Sequence, residues 1–383
     1  MDFSRGVNWG PALFIIIYQL ITIVSLPFYF YYAAPTLTMV VCLIVLMFIN
    51  GISITGGYHR KFSHRAYRTN GWVDFILLFF GTMTAQGSVL RWAYDHRVHH
   101  AHVDTDQDPY SIKKGFWYAH CLWLLENPKP IQPKIVSDLI RDPLIMFQDR
   151  YYPLLMIAAN ALAFLAFGWL CNDYVGSFFL IVLLRLFLIH HFTWFINSLA
   201  HTWGDKPFSD EQSAVNNYII SFLTFGEGYH NYHHTYANDY RNGVRWYHFD
   251  PTKWTIWLLS KMGLAHDLKK MDSFTIKKRM VLEKKQVLLN QIKELWHDKK
   301  DELEKNVQDI SERILLKISD FKALSQKYCQ AKGTNEQRDL LRKLHGELKL
   351  LKKSIKADWR RLKKLSHHIM RLKPLNLASS AVH

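Results

Sequence analysis

Four stretches of the chain are apolar for long enough to cross a bilayer, which takes about 20 residues at 1.5 Å of rise each. They cover roughly residues 11–32, 36–57, 153–170 and 175–197, and the first two contain no charged residue. A shorter run, 75–90, holds Gly81, Thr82, Thr84, Gln86, Gly87 and Ser88, and reads as a buried or interfacial helix, with a fifth span as the competing reading. The links between spans one and two, and between three and four, are a few residues long and carry no Lys or Arg. The segments after spans two and four are rich in both, which predicts that these segments and both termini face the cytoplasm. The pattern predicts an all-α protein: a four-helix transmembrane bundle capped by a cytoplasmic helical domain drawn from residues 58–152 and 198–270.

From about Ser273 the pattern changes. Leu289, Ile292, Trp296, Leu303, Ile310, Ile314, Phe321, Leu324 and Tyr328 recur at helical spacing, the segment Ala331 to Asn335 interrupts them, and Leu341, Leu344, Leu348, Leu351, Ile355, Trp359, Leu362, Ile369 and Leu372 resume it. Apolar residues at alternating three- and four-residue steps form a seam that a second helix must cover. Residues 271–383 are therefore expected to form a separate basic helical hairpin, with an intermolecular coiled coil as the alternative, and residues 1–270 the membrane domain.

Charge sharpens this boundary. The formal net charge is +16. Residues 1–268 hold 19 Lys/Arg against 18 Asp/Glu, and residues 269–383 hold 29 against 14, so the excess belongs to the tail. Such a tail suits anionic lipid or an acidic redox partner; nucleic acid is not expected of a membrane-tethered hairpin. Cys42, Cys121, Cys171 and Cys329 show no paired spacing, which argues against a disulfide framework or a cysteine zinc site. No cleavable signal peptide is expected, because the first apolar run is long enough to span.

The candidate chemistry lies in three histidine clusters at or beyond the membrane edge: His59-Arg60-Lys61-Phe62-Ser63-His64, His96-Arg97-Val98-His99-His100 and His230-Asn231-Tyr232-His233-His234. In the second and third, histidines at i, i+3 and i+4 share one face of a helix and can aim at one point or two neighbouring points. His59 and His64, five residues apart, fall about 140° out of register on a regular helix. They suit a helix end with one histidine on either side, and Gly51, Gly56 and Gly57 upstream allow an irregular approach. Neutral imidazole binds iron, zinc, copper or nickel, whereas calcium and magnesium demand oxygen. Eight histidines exceed one zinc site and suit two metals with four or five ligands each. Glu227-Gly228-Tyr229-His230 matches the Glu-x-x-His element of soluble di-iron bundles only once, so Glu227 is not taken as a ligand. His120, His248, His266, His297, His345, His367, His368 and His383 read as surface or core residues, with His102 a marginal ligand candidate.

These boxes, in this order relative to four spans, resemble the membrane acyl-CoA desaturases, specifically the stearoyl-CoA delta-9 desaturase family. The resemblance covers about residues 40–270. It includes Trp92-Ala93-Tyr94-Asp95 running into the second box, Asp108-Pro109, Lys114-Gly115-Phe116, Phe147-Gln148-Asp149-Arg150-Tyr151-Tyr152, Asn197-Ser198-Leu199-Ala200-His201 and Gly226-Glu227-Gly228-Tyr229 running into the third. Related membrane alkane hydroxylases have a middle box one residue longer.

The resemblance implies two Fe ions, with Zn possible in a recombinant preparation. It adds His201 as a ligand and Asn197 through a water, and it removes His190 and His191, which become polar residues facing the bundle interior. It implies a bent substrate tunnel shaped by Gln86, Trp92 and Thr193, and hence a cis double bond between carbons nine and ten. Only a tunnel's shape can place one methylene of an unactivated chain. Lys113 and Lys114 are candidates for the phosphates of a CoA headgroup, and Asp95 for orienting a ligand imidazole from behind. The implied reaction consumes O2 and two electrons and takes one hydrogen from each of two adjacent methylenes. No haem motif of the cytochrome b5 type is evident, so a separate donor of cytochrome b5 or ferredoxin type is expected. The expected partners are thus an acyl-CoA, O2, that donor and the lipid bilayer. The expected location is a multi-pass protein with its active site cytoplasmic, in a bacterial inner membrane in preference to the endoplasmic reticulum. An acyl-lipid desaturase, a membrane di-iron hydroxylase and a non-enzymatic metal-binding membrane protein are the alternatives.

Overall fold

A computed structural model describes residues 5–295, 299–333 and 338–372. It divides into two compact units, Met1–Lys206 with Glu211–Lys270, and Pro207–Asp210 with Met271–His383. Among the described residues the secondary structure is helical except for short bridges and one antiparallel pair of two-residue strands, Arg68–Thr69 against Ala265–His266.

The main helices of the first unit are α1 (Trp9–Tyr32), α2 (Leu37–Ser63), α3 (Gly71–Thr82), α4 (Val89–His102), α5 (Pro143–Arg150), α6 (Tyr152–Leu170), α7 (Tyr174–His201), α8 (Tyr218–Leu223), α9 (His230–Thr235) and α10 (Pro251–Lys261). Helices α1, α2, α6 and α7 are long and apolar enough to cross a membrane. Half of the apolar window of α2 and of α7 is buried, against 17% for α1 and α6, so α2 and α7 form the inner pair. The run 75–90 is not a span. Helix α3 ends at Thr82, and a turn leads to α4, whose N-cap Ser88 accepts a hydrogen bond from the Arg91 backbone N–H. One face of α3 exposes Trp72, Phe75 and Ile76 while the other buries Leu77 and Leu78. Side chains of Thr36, Asp142 and Asp250 cap α2, α5 and α10, the last two followed by proline at the first helical turn.

Two devices tighten the inner bundle. A Cβ on Gly51 would lie 2.3 Å from the Phe225 ring, and one on Gly81 would lie 2.4 Å from the Tyr58 ring. Glycine at both positions lets aromatic rings press directly on helix backbone. The second device is Arg185, fully buried in α7, where a charge is costly unless every donor is met. Its guanidinium donates to the Asn50 side-chain oxygen of α2 at 2.7 Å, to the Asn160 side-chain oxygen of α6, to the Met83 carbonyl at 3.3 Å and to the Ile181 carbonyl at 2.6 Å. One side chain thereby ties three spans and the turn after α3 together.

The second unit corrects the expected hairpin. It consists of α11 (Ser273–Lys293), α12 (Lys300–Gly333) and α13 (Arg338–Ile369), with a turn after Lys293 where one continuous helix was expected. Val281, Leu288 and Ile292 of α11, Leu303, Val307, Ile314 and Ile318 of α12, and Leu362 and Ile369 of α13 share one core. The segment 294–299 has neither glycine nor proline, and the apolar spacing continues through it, so periodicity carried no sign of the turn. Trp296, His297, Thr334, Asn335 and His383 lie outside the described residues.

Replacing Arg185 by Ala leaves buried acceptors on Asn50, Asn160 and Met83 unmet. We expect a loss of about 3 kcal/mol, seen as a lower Tm of the detergent-solubilised protein; an unchanged Tm would show that the guanidinium does not staple the spans.

Candidate metal centre

The first histidine pair depends on a change of winding. Over Ser53–Ser63, α2 widens from an α-helix into a π-helix, and the His64 backbone N–H donates to the His59 carbonyl at 3.1 Å, an i to i+5 bond. This wider turn stacks residues five apart, and the two rings lie 4.9 Å apart. Expecting a helix end between His59 and His64 matches what is seen, since His64 is the C-cap, but the alignment comes from the π turn that spacing on a regular helix cannot supply. His96, His99 and His100 project from one face of α4. His230, His233 and His234 occupy the short helix α9, and His201 ends α7. Gly226, at φ +104°, makes the turn into the third box, where a Cβ would strike Asp250.

These nine histidines assemble into two groups. His59, His64, His96, His100 and His233 form one, and His99, His201, His230 and His234 the other; within each, the potential ligand atoms lie within 4.8 Å of one another. The Nε2 atoms face one another. In the first group His64–His96, His59–His233 and His233–His100 are 2.8, 3.0 and 2.9 Å apart. In the second, His201–His230, His230–His234 and His99–His234 are 3.1, 3.0 and 3.4 Å apart.

Their other ring nitrogens explain why. His59 Nδ1 lies 2.9 Å from the Glu227 carboxylate and His99 Nδ1 2.9 Å from that of Asp108. An ionised carboxylate only accepts, so both Nδ1 atoms carry a proton, and the neutral form of either ring presents its Nε2 lone pair inward. His96 Nδ1 meets the Tyr110 hydroxyl at 3.0 Å, and His201 Nδ1 meets Ser213 Oγ at 2.7 Å, which itself donates to Asp104. A hydrogen could satisfy one facing pair of nitrogens, but not four or five converging ones. A cation can, because donors about 2.1 Å from one ion stand about 3 Å apart when adjacent. The donor set therefore fits a metal in each group.

Electrostatics keep the rings in ligand form. Burial first, and neighbouring imidazoles second, push His64, His96, His100, His230, His233 and His234 well below the usual histidine pKa, so they are neutral at pH 7. Burial alone would raise the Glu227 pKa, but His59 and Arg60 outweigh it and hold the group ionised. Asp108 is held low in the same way, by His99 and by the backbone N–H groups of Tyr110 and Asp104. Arg60, inside the first box and fully buried, donates to Glu227 at 2.9 and 3.1 Å and to the Tyr240 carbonyl at 2.8 Å, and pairs with Asp250 at 3.0 Å.

Sequence reasoning found the histidines but not these supports. Glu227 had a signal in its Glu-x-x-His match, read only as a question of direct ligation. Asp108 stood in a family motif with no role attached. Asp95, expected to orient an imidazole, instead takes a two-point ion pair from Arg91 at 2.6 and 2.8 Å. This is a correction with a simple cause: Arg91 and Asp95 are four apart on α4, so they meet on its surface. Asn197 closes the regular part of α7, four residues before His201. His190 is buried among Tyr18 and the Thr84 carbonyl, which its Nε2 meets at 2.7 Å, while His191 meets His120 at 3.0 Å; neither belongs to a metal group. His102 likewise falls outside both groups.

Beside the first group lies a cavity of about 560 Å³, lined by His96 and by Gln86, Trp92 and Thr193. Gln86 donates to Thr193 Oγ1 at 3.0 Å, and the Trp92 ring stacks on His96 with centroids 5.0 Å apart. The other walls are largely apolar, among them Phe14, Ile15, Val98, Leu124 and Met156. Lys113 and Lys114 sit exposed on a single 3-10 turn and do not line the cavity; Arg5, Arg91 and Lys129 are the cations that do.

A family profile described as fatty acid desaturase matches residues 9–267. The chain is 42% identical over 287 residues to a probable acyl-CoA desaturase of Schizosaccharomyces pombe, covering 74% of this chain and 59% of that one. It is 41% identical over 252 residues to acyl-CoA desaturase 1 of Saccharomyces cerevisiae, covering 65% and 49%. Over 270 residues it is 37% identical to an sn-2 palmitoyl-lipid 9-desaturase of a Nostoc species, covering 68% and 90%. The chain thus spans about half to three-fifths of the two yeast proteins and most of the cyanobacterial one.

Asp108→Asn removes the negative charge that fixes the His99 tautomer and leaves only a neutral amide there, and we expect metal to be lost to a competing chelator at about 10- to 100-fold lower concentration than in wild type. The six depressed histidines also set a pH dependence for the metal-free protein. In the unfolded chain they titrate near 6.5, so below that pH the unfolded state binds more protons and stability falls. Melting curves should show the full Tm above about pH 6.5 and a progressive drop below it.

Proposed function

The chain belongs to the fatty acid desaturase family, and we propose that it is a delta-9 acyl-CoA desaturase with a di-iron centre held by its nine clustered histidines. The observation that carries this reading is the contact between the two halves of the site. Trp92 stacks on His96 of one histidine group and lines the cavity that Gln86 and Thr193 also bound. The shape of the cavity is thereby referred directly to the position of the metal-binding nitrogens.

His59, His64, His96, His100 and His233 would hold one ion. His99, His201, His230 and His234 would hold the other, with Asn197 completing that smaller set through a water. Two irons, when bound, supply the activation of dioxygen that no side chain can perform. The chain's own residues do the rest. Glu227 and Asp108 keep the protons of His59 and His99 on Nδ1, so that Nε2 remains free to bind. Gln86, Trp92 and Thr193 hold the acyl chain bent, which selects the methylenes at carbons nine and ten. The apolar walls exclude bulk water. The overall balance is one saturated acyl chain, O2, two electrons and two protons to one cis-unsaturated chain and two waters. Electrons would come from a separate donor of cytochrome b5 or ferredoxin type. For the CoA headgroup we favour Arg5, Arg91 and Lys129 over Lys113 and Lys114, because only the former line the cavity.

We assign the reaction to residues 1–270 and place residues 58–152 and 198–383 on the cytoplasmic side, from their excess of Lys and Arg. Greater identity to the two yeast proteins than to the cyanobacterial one favours the endoplasmic reticulum over a bacterial inner membrane. Coverage supports a second substrate reading. The chain spans 90% and 95% of two cyanobacterial lipid 9-desaturases, which points to an acyl chain carried on a glycerolipid.

Expression in cells that require unsaturated fatty acid tests the proposal. Wild type, and a version ending at residue 270, should restore growth and yield a cis-9 alkene by mass spectrometry, while His99→Ala should do neither. An alcohol product would make the protein a hydroxylase, and equal growth with His99→Ala would end the metal reading. Isotope label appearing in acyl-CoA before glycerolipid, or the reverse, identifies the carrier.

A further inference from the structure

Nine of the tail's 29 Lys and Arg residues fall on one line of one helix. In α13, the six lysines Lys349, Lys352, Lys353, Lys356, Lys363 and Lys364 and three arginines, from Arg338 onward, all fall within about 60° of a common line at 100° per residue. All nine are exposed. The stripe is about 39 Å long at 1.5 Å per residue. The acids of the helix lie elsewhere: Asp358 is buried, Glu347 falls on the same far side, and Asp339 lies outside the line near the start. Among the described residues, only Arg342 of the stripe makes an ion pair, at 3.8 Å to an Asp339 that is itself 91% exposed.

The neighbouring helix adds to this charge. Lys277 and Lys284 of α11 have their pKa values lowered, first by burial and then by Lys352 and Lys363 of the stripe respectively. The bundle therefore brings like charges together across two helices. A merely soluble helix intersperses both signs, because a single-sign field costs self-repulsion. We propose that this stripe is a docking surface for an anionic bilayer, on which the tail rests through contacts between its lysines and lipid phosphates and carboxylates.

Three observations select lipid over a protein partner. No large apolar residue falls on the line between Arg338 and Lys364, whereas protein interfaces are anchored by buried aromatic or aliphatic groups. Lysine outnumbers arginine two to one, and lysine acts as a hydrated point charge suited to a diffuse anionic surface. The link from Lys270 to the start of α11 at Ser273 is short, so the tail is permanently tethered to a chain that carries four membrane-length apolar helices. The inference rests on membrane insertion alone and is independent of the reaction proposed above.

The test uses the full chain in nanodiscs of pure phosphatidylcholine or of phosphatidylcholine with one-third phosphatidylserine. The rate of amine acylation at each lysine is read by mass spectrometry. In the phosphatidylserine discs, labelling of the stripe lysines should slow about ten-fold at low salt and recover in concentrated NaCl. Lys305, Lys322 and Lys327 of α12 should label alike in both discs. In a variant carrying K349Q, K352Q, K353Q and K356Q, the slowing at Lys363 and Lys364 should disappear. Equal labelling of the stripe in both discs would overturn the proposal. So would slowing that appears only when a soluble acidic redox protein such as cytochrome b5 is added to phosphatidylcholine discs, since that outcome assigns the stripe to a protein.

Discussion

The structure turns on a set of imidazole nitrogens aimed at one another. Nine Nε2 atoms converge in two groups at separations near 3 Å, in surroundings where burial disfavours the charged imidazolium. A neutral ring has one proton, and where a carboxylate claims it at Nδ1 the inward nitrogen has only a lone pair. Facing lone pairs are unfavourable unless cations lie between them, so the site is a negative image of two ions. The arrangement also draws on supports behind four of the rings. Glu227, Asp108, Tyr110 and Ser213 supply them, and Arg60 in turn keeps Glu227 ionised at a depth where burial alone would protonate it.

That demand reaches into the backbone. A regular α2 would point His59 and His64 to different sides, and the π turn over Ser53–Ser63 removes the discrepancy by passing through an i to i+5 bond. The widened helix needs close neighbours, and Gly81 lets Tyr58 of the π segment press onto the backbone of α3. Deeper in the bundle, Arg185 holds α2, α6 and the turn after α3 around α7, so the helices that carry the histidines are braced by polar contacts rather than by apolar packing alone. Trp92 then couples this rigid centre to the cavity. It sits one turn before His96 on α4, touches that ring and forms part of the cavity wall, so a shift of that histidine face would also change the shape of the cavity.

The tail is built on different physics. Its three helices share an ordinary apolar seam, and its surface carries charge with little compensation along one edge. The first unit buries its polar groups and pairs them; the second displays them. The same chain thus combines a buried, inward-facing histidine cluster with an outward-facing row of cations.

Much of this was legible in the sequence. Four apolar runs of spanning length, the H-x-x-H-H spacing of two boxes and the abrupt shift of charge near residue 270 each follow from local rules of helix period, bilayer thickness and composition, so the helical fold class and the histidine groups could be read residue by residue. What could not be read depends on packing, at short as well as long separations along the chain. The pairing of His59 with Glu227 and of His99 with Asp108, the diversion of Asp95 to Arg91, the π turn, and the extra turn that makes the tail three helices all depend on which neighbours the fold supplies. Sequence spacing determined which histidines could share a face; only the tertiary structure decided how they divide into two groups and which groups hold their protons, because helices from distant parts of the chain meet there and Asp108, Tyr110, Ser213 and Glu227 are brought to the rings from outside those helices.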